Sequence, residues 1–462
     1  MALDPERDRL SGRLQRTAKV GAGIAGAGVS YGVNRLFGGD GADARNARLI
    51  KEALGQLKGP LMKVAQMVAT VPDLLPPEFA EQFAELQTNA PAMGGPFVRR
   101  RMAAELGPDW RARYADFELE AAAAASLGQV HRATAHDGRR LAVKLQYPEM
   151  QSAVESDLGQ MRTLMALGRR VFGAVDTSEI GQEVTERLRE ELDYAREAKH
   201  MALYRDFFAG REDIVAPEPL FDLSTERLLT MTWLEGQGLL AFRDAPQDVR
   251  NDIARRLFQA WWSPMTSIGV IHGDPHLGNY TFSGEGERLN LLDFGCVRIF
   301  PPSFVAGVVK LYRALIADDR EAMMQAYVAW GFKNLSFELM DVLNVWARFI
   351  YGPLLDDRVR TVADGVSPGM YGRREAFTVK QALQEKGPVT IPREFVFMDR
   401  AAIGLGSAFL HLGAELNWRA LFEESLAGFE EGALAERQAR ALLAVGLGSS
   451  PASGGGTGAR RA

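Results

Sequence analysis

The stretch His272-Gly-Asp-Pro-His-Leu-Gly-Asn279, with Asp293-Phe-Gly295 beginning nineteen positions after Asp274, decides how this chain is read. An aspartate can accept a hydroxyl proton. An asparagine five residues on, and a second aspartate further along, supply hard oxygen ligands for magnesium. Asp274, Asn279 and Asp293 fill those three places. Magnesium-assisted phosphoryl transfer is the chemistry that needs such a set. Residues 280–282 and 289–292 read as two short strands around Ser283-Gly284-Glu285-Gly286, so the second aspartate directly follows a strand. Asp-Phe-Gly alone is a weak signal. It gains force from its distance to Asp274 and from Leu291-Leu292 before it.

Working outward, the spacing is that of a kinase catalytic loop and its metal-binding triplet. That pattern expects a glycine-rich loop upstream, then a strand ending in lysine. Residues 123–130 read A-A-A-S-L-G-Q-V, with Ala123, Ala125 and Gly128 at the three glycine positions and Val130 at the valine. Alanine does not readily adopt positive φ, and its methyl keeps other atoms off the backbone. The loop should therefore be stiff, with Ala123, Ala124, Ala125, Ser126 and Gly128 as candidate nucleotide contacts. The rival reading makes residues 120–125 the start of a helix, alanine being the best helix former. Residues 129–135 and 140–145 read as strands joined through His136-Asp137-Gly138. Lys144 ends Ala142-Val143-Lys144, the place of the lysine that pairs with the α/β phosphates and a helix glutamate. Glu183, Glu186, Glu190, Glu191 and Glu197 share one helical run over residues 178–208, and spacing does not choose among them. His272-Gly-Asp-Pro-His276 also has metal-ligand spacing, with Asp274 as third ligand. That metallohydrolase reading leaves Lys144 and the alanine loop without a role.

The chain has 462 residues, 47% of them hydrophobic, enough for a substantial core. Its net charge of −5 argues against a broad nucleic-acid surface. A single cysteine, Cys296, excludes an intrachain disulfide and makes a thiolate zinc site implausible; a reducing, cytoplasmic compartment fits. Residues 20–33 are uncharged and rich in Gly and Ala. As a helix they reach about 21 Å, short of the ~30 Å hydrocarbon core. They read as a packed Gly/Ala segment, with peripheral membrane contact as the alternative.

Five segments follow: a Gly/Ala-rich N-terminus at 1–41, a helical extension at 42–115, a small lobe at 116–235, a mostly helical large lobe at 236–446 and a Gly/Ser-rich tail at 447–462.

Taken together, these residues resemble the UbiB/AarF family of atypical kinase-like proteins. The resemblance rests on residues 123–131 (AAASLGQVH), 143–148 (VKLQYP), 191–198 (ELDYAREA), 272–279 and 292–295, and on Lys63-Val-Ala-Gln66, similar to the family's K-x-G-Q signature. It implies that Lys144 pairs with Glu191, that Asp274 is the catalytic-type aspartate, and that Asn279 and Asp293 hold magnesium. It further implies that Lys63 and Gln66 lie on an N-terminal helical extension that covers the site. Ala65 replaces the signature glycine, Leu277 replaces a frequent proline, and no C-terminal pair of apolar helices is present.

The expected fold is α+β: two-lobed, protein-kinase-like, with a helical N-terminal extension. The expected cofactors are ATP and magnesium. The expected activity is ATP hydrolysis or phosphoryl transfer to a small or lipid-like molecule in support of ubiquinone biosynthesis, with quinone precursors or lipid as further partners. The alternatives are a small-molecule kinase of the aminoglycoside or choline type and a nucleotide-binding scaffold without turnover.

Overall fold

The computed structural model of the chain describes residues 93–125, 127–147, 189–190, 192–332, 335–367, 371–386 and 393–448. Residues 20–33, Lys63, Gln66, Ser126 and Glu191 lie outside them. The chain divides into two compact units, one drawn from Met1–Ala198 and Pro219–Trp233, the other from Lys199–Glu218 and Leu234–Ala462. Lys199–Glu218 thus clusters with the second unit, although it lies within the 116–235 span expected for the small lobe.

The first unit is built on an antiparallel sheet in the order β1-β2-β3-β5. Its strands are β1 (Asp116–Ala125), β2 (Gly128–Thr134), β3 (Arg140–Gln146) and β5 (Leu228–Thr232), while β4 (Ile214–Val215) belongs to the second unit. The alanine run is strand, not helix. Ala123, Ala124 and Ala125 pair with Val130, Gln129 and Gly128. The cross-strand ladder overrides alanine's helix propensity, which is a weak prior wherever tertiary pairing competes. β2 turns into β3 at Gly138, whose φ of 86° suits glycine.

Alternation along β3 separates two faces. Leu141, Val143 and Leu145 enter the core with Val98 and Met102 of α1 (Gly95–Leu106) and with Trp110, Tyr114 and Phe117. Ala142, Lys144 and Gln146 take the other face. His131, paired with Val143, is buried on the core face and stacked on Phe117. Its Nδ1 bonds to the Glu118 carbonyl and its Nε2 to the Gln129 amide, and Gln129 in turn holds both backbone groups of Met93. The Gln-Val-His of the quoted motif is therefore a buried polar clip with its hydrogen bonds satisfied.

α2 (Tyr194–Phe207) begins in the first unit and ends in the second. In the second unit, β4 (Ile214–Val215) runs parallel to β8 (Arg288–Leu291), which pairs antiparallel with β7 (Tyr280–Ser283). β6 (Val270–His272) pairs with β9 (Val297–Ile299). α3 (Gln247–Ile268) buries Leu257, Phe258, Trp261 and Met265 on one stripe and ends at Gly269 in the left-handed region. A side chain there would run into Gln438 and the Phe300 carbonyl. The remaining helices are α4 (Pro302–Ala317), α5 (Arg320–Ala329), α6 (Phe337–Leu355), α7 (Arg373–Lys386), α8 (Arg393–Leu412), α9 (Trp418–Ser425) and α10 (Glu431–Ala444). Among the described residues no helix is long and apolar enough to cross a membrane. The fold is the kinase-like α+β one expected from the sequence.

Candidate active site

In the first unit the chemistry gathers on the outer face of β3. Lys144 is 7% exposed, and its Nζ donates to both carboxylate oxygens of Glu197, at 2.7 and 3.0 Å. It also sits over the Tyr194 ring, 4.9 Å from the centroid. Glu197 lies in the first turn of α2, where a carboxylate is favoured by the helix dipole. The carboxylate that meets Lys144 among the described residues is Glu197; Glu191, which the resemblance expects there, lies outside them. The physical reason is helical: α2 starts at Tyr194, so Tyr194 and Glu197, three apart, share the face turned to β3.

Gly128 is fixed by close approach rather than by torsion. A Cβ there would lie 2.1 Å from the Leu145 carbonyl oxygen and 3.1 Å from the Tyr194 hydroxyl. Ala123 is exposed on β1. Of the three glycine positions in the kinase pattern, this chain keeps the one whose side chain would strike backbone.

In the second unit one imidazole organises the loops. His272 is fully buried at the end of β6. Its Nδ1 accepts the Asp274 N–H at 3.3 Å, and its Nε2–H donates to the Asp293 carbonyl. Burial pushes His272 below the ordinary histidine range, against the pull of the Asp293 carbonyl and the nearby carboxylates. It is a neutral imidazole with both nitrogens committed to backbone, so it has no lone pair for a metal. His276 uses Nδ1 to accept the Gly278 N–H and caps the turn Leu277–Asn279. Among the described residues no group of three or more His, Cys, Asp or Glu could hold a metal ion. The metallohydrolase reading fails on these bonds.

Gly273 permits the close β6–β9 approach. Its N–H donates to the Cys296 carbonyl at 2.9 Å, and a Cβ would lie 2.5 Å from that oxygen. Cys296 is buried. Asn279 Nδ2 donates to Asp274 Oδ2 at 3.0 Å and to the Asp274 carbonyl at 3.1 Å. The Asn279 carbonyl accepts the Leu292 N–H at 2.9 Å, which joins the loop of Asp274 to the strand end before Asp293. Asp293 Oδ1 accepts the Gly295 N–H at 3.0 Å. Phe294 is fully buried against Tyr204 and His272.

The donor set fits magnesium. The Asn279 amide nitrogen is committed to Asp274, which leaves a hard carbonyl oxygen with no hydrogen bond among the described residues. Asp293 adds a carboxylate, and oxygen ligands of this kind suit a hard divalent cation. The sequence reading missed Arg400, on α8, whose Nη2 lies 3.0 Å from Asp274 Oδ1. No local pattern marks it.

The model of the ABC1 atypical kinase-like domain matches residues 85–327. The chain is 28% identical over 363 residues to the mitochondrial atypical kinase coq-8 of Caenorhabditis elegans, covering 74% of this chain and 48% of the relative. It is 25% identical over 328 residues to the mitochondrial atypical kinase COQ8 of Saccharomyces cerevisiae, covering 69% and 66%. The chain therefore spans about half to two-thirds of these relatives. Among solved structures, Rv3197 of Mycobacterium tuberculosis in complex with erythromycin is similar at a TM-score of 0.58 and 25% identity, over 84% of this chain and 99% of that one.

Proposed function

We propose, from the premise that the chain belongs to the ABC1 atypical kinase-like family, that it binds magnesium–ATP. In this reading it hydrolyses ATP or transfers phosphoryl to a small or lipid-like acceptor in support of isoprenoid-quinone biosynthesis. The observation that supports this best is the set Asp274, Asn279 and Asp293, tied together through His272 and the Leu292–Asn279 bond. A bound magnesium would supply charge neutralisation on the transferred phosphoryl.

Each residue has a role in this reading. Lys144, held rigid by Glu197 and Tyr194, neutralises the α/β phosphates. Gly128 lets the turn pack close against β3, and the alanines of β1 present a stiff backbone. Asn279 and Asp293 offer their oxygens to magnesium. Asp274 faces the reacting group. Lys63 and Gln66 keep the covering role that the resemblance implies. The quinone link follows the relatives, as does peripheral contact with lipid.

The test is magnesium-dependent ATP hydrolysis by the purified chain, with and without lipid vesicles and phenolic quinone precursors, beside Asp274→Asn. Turnover that needs Asp274 and rises with lipid or precursor supports the proposal. Asp293→Asn should abolish magnesium-dependent nucleotide binding, and unchanged affinity would remove the metal assignment.

A further inference from the structure

Arg400 is presented to the catalytic loop by a helix with two further anchors. Gly404, one turn on along α8, faces Pro275; a Cβ there would lie 2.2 Å from the proline Cγ. The helix backbone packs directly on the proline ring. One residue before Arg400, Asp399 Oδ2 accepts the Trp346 indole N–H at 2.6 Å, which pins α8 to α6. From this footing Arg400 reaches Asp274 Oδ1, while Asn279 Nδ2 holds Oδ2. Arg400 and Asp274 are 29% and 17% exposed in their side chains. The pair is shielded enough for the charge-assisted bond to hold a defined geometry.

We infer that Arg400 is a positioning residue for Asp274, fixing the orientation of its carboxylate through Oδ1 while Asn279 holds Oδ2. This rests on the function proposed above. A carboxylate held by one amide can still swing about its χ angles. Held on both oxygens, by donors from two separate elements, it has one orientation. Misplacing a reacting group by about 1 Å costs roughly 100-fold in rate. Arg400 should therefore act on turnover through Asp274 and leave nucleotide capture alone, since the bond it makes is to the carboxylate of Asp274.

The experiment is a cycle of Arg400→Met, Arg400→Lys and Asp274→Asn, with Arg400→Met also in the Asp274→Asn background. Methionine keeps an apolar stem, and melting curves confirm that each variant folds. The readouts are kcat and KM for magnesium–ATP, nucleotide Kd, and recovery of Arg400→Met by added guanidinium. The expected result for Arg400→Met is a kcat loss of about 100-fold with KM and Kd within threefold. Arg400→Lys and free guanidinium should restore part of it. No further loss should appear on top of Asp274→Asn, because residues acting as a unit are non-additive. Wild-type turnover in Arg400→Met, or losses that multiply with Asp274→Asn, would overturn the inference while leaving the proposed function standing. Absence of any turnover in the wild-type chain would overturn both.

Discussion

Removal of Glu197 tests the arrangement around Lys144 most sharply. Two hydrogen bonds of 2.7 and 3.0 Å join side chains that are only 9% and 2% exposed. At an effective dielectric of about 20, unit charges about 2.8 Å apart attract by about 6 kcal/mol. Desolvation of the two ions returns several kcal/mol each, so the intact pair contributes little net stability. Breaking it is another matter, because the surviving charge stays buried with both of these bonds lost. Glu197→Ala should cost about 3–5 kcal/mol. Lys144→Met should cost less, since a carboxylate at a helix N-terminus keeps a favourable dipole. The double change Lys144→Met with Glu197→Leu should recover most of the loss. Hydrogen exchange at the amides of β2 and β3 reads the first unit alone. At about 1.4 kcal/mol per decade, Glu197→Ala should speed exchange there by roughly two to three and a half orders of magnitude. Exchange within threefold of wild type, or a double variant no better protected than Glu197→Ala, would refute the buried pair.

Three further outcomes follow from the same geometry. Gly128→Ala should destabilise the first unit by about 1–3 kcal/mol, because its Cβ meets a backbone carbonyl, whereas Ala123→Gly should cost under about 1 kcal/mol; urea unfolding compares them. Gly404→Ala should push α8 off Pro275 and lower kcat while nucleotide Kd holds, read by steady-state kinetics beside equilibrium binding. Burial pushes the Asp399 carboxyl up to about 7, against the pull of the Trp346 N–H. The folded chain then keeps a proton that the unfolded chain gives up near the ordinary carboxylate value. Stability should fall as pH rises from about 4 to about 7 and level off above, by at most about 4 kcal/mol at 1.4 kcal/mol per unit. Asp399→Asn should remove that slope in melting curves taken at pH 5, 6, 7 and 8.

What was legible in the chain was local. Asp274, Asn279 and Asp293 lie within twenty positions of sequence, and short strands with turn residues bring them together. The β2–β3 hairpin announced itself through Asp137-Gly138, and Gly138 has the positive φ that such a turn requires. Glu197 was one of five acids on a helical run, and periodicity alone did not select it. Only the start of α2 at Tyr194 turns that face to Lys144. The alanine run was ambiguous because alanine's propensity favours helix, and the pairing that makes it strand comes from β2. Arg400 was invisible. Its partner is 126 positions away, and nothing in one sequence distinguishes an arginine aimed at a carboxylate from one aimed at water. Gly404, one turn later, and Gly406 beyond it mark close packing on this helix, but a glycine in a helix does not name what it touches.

The loops that carry Asp274 and Asp293 need a common reference, and His272 supplies it. Asp274 and Asp293 stand on different connections, which alone would drift independently. A neutral imidazole has one acceptor and one donor. Here the acceptor takes the Asp274 N–H and the donor takes the Asp293 carbonyl. Burial keeps the ring neutral, since a second ring proton would displace the Asp274 N–H from Nδ1. Trp261, Tyr204 and Phe294 enclose the ring and leave it no alternative orientation. The imidazole spends its bonds on backbone, while the Asp274 carboxylate meets the side chains of Asn279 and Arg400. That division of labour explains why a histidine stands two residues before the aspartate although it performs no chemistry. It also explains why Arg400 can come from a distant helix, since it needs to meet only one carboxylate oxygen whose loop is already fixed.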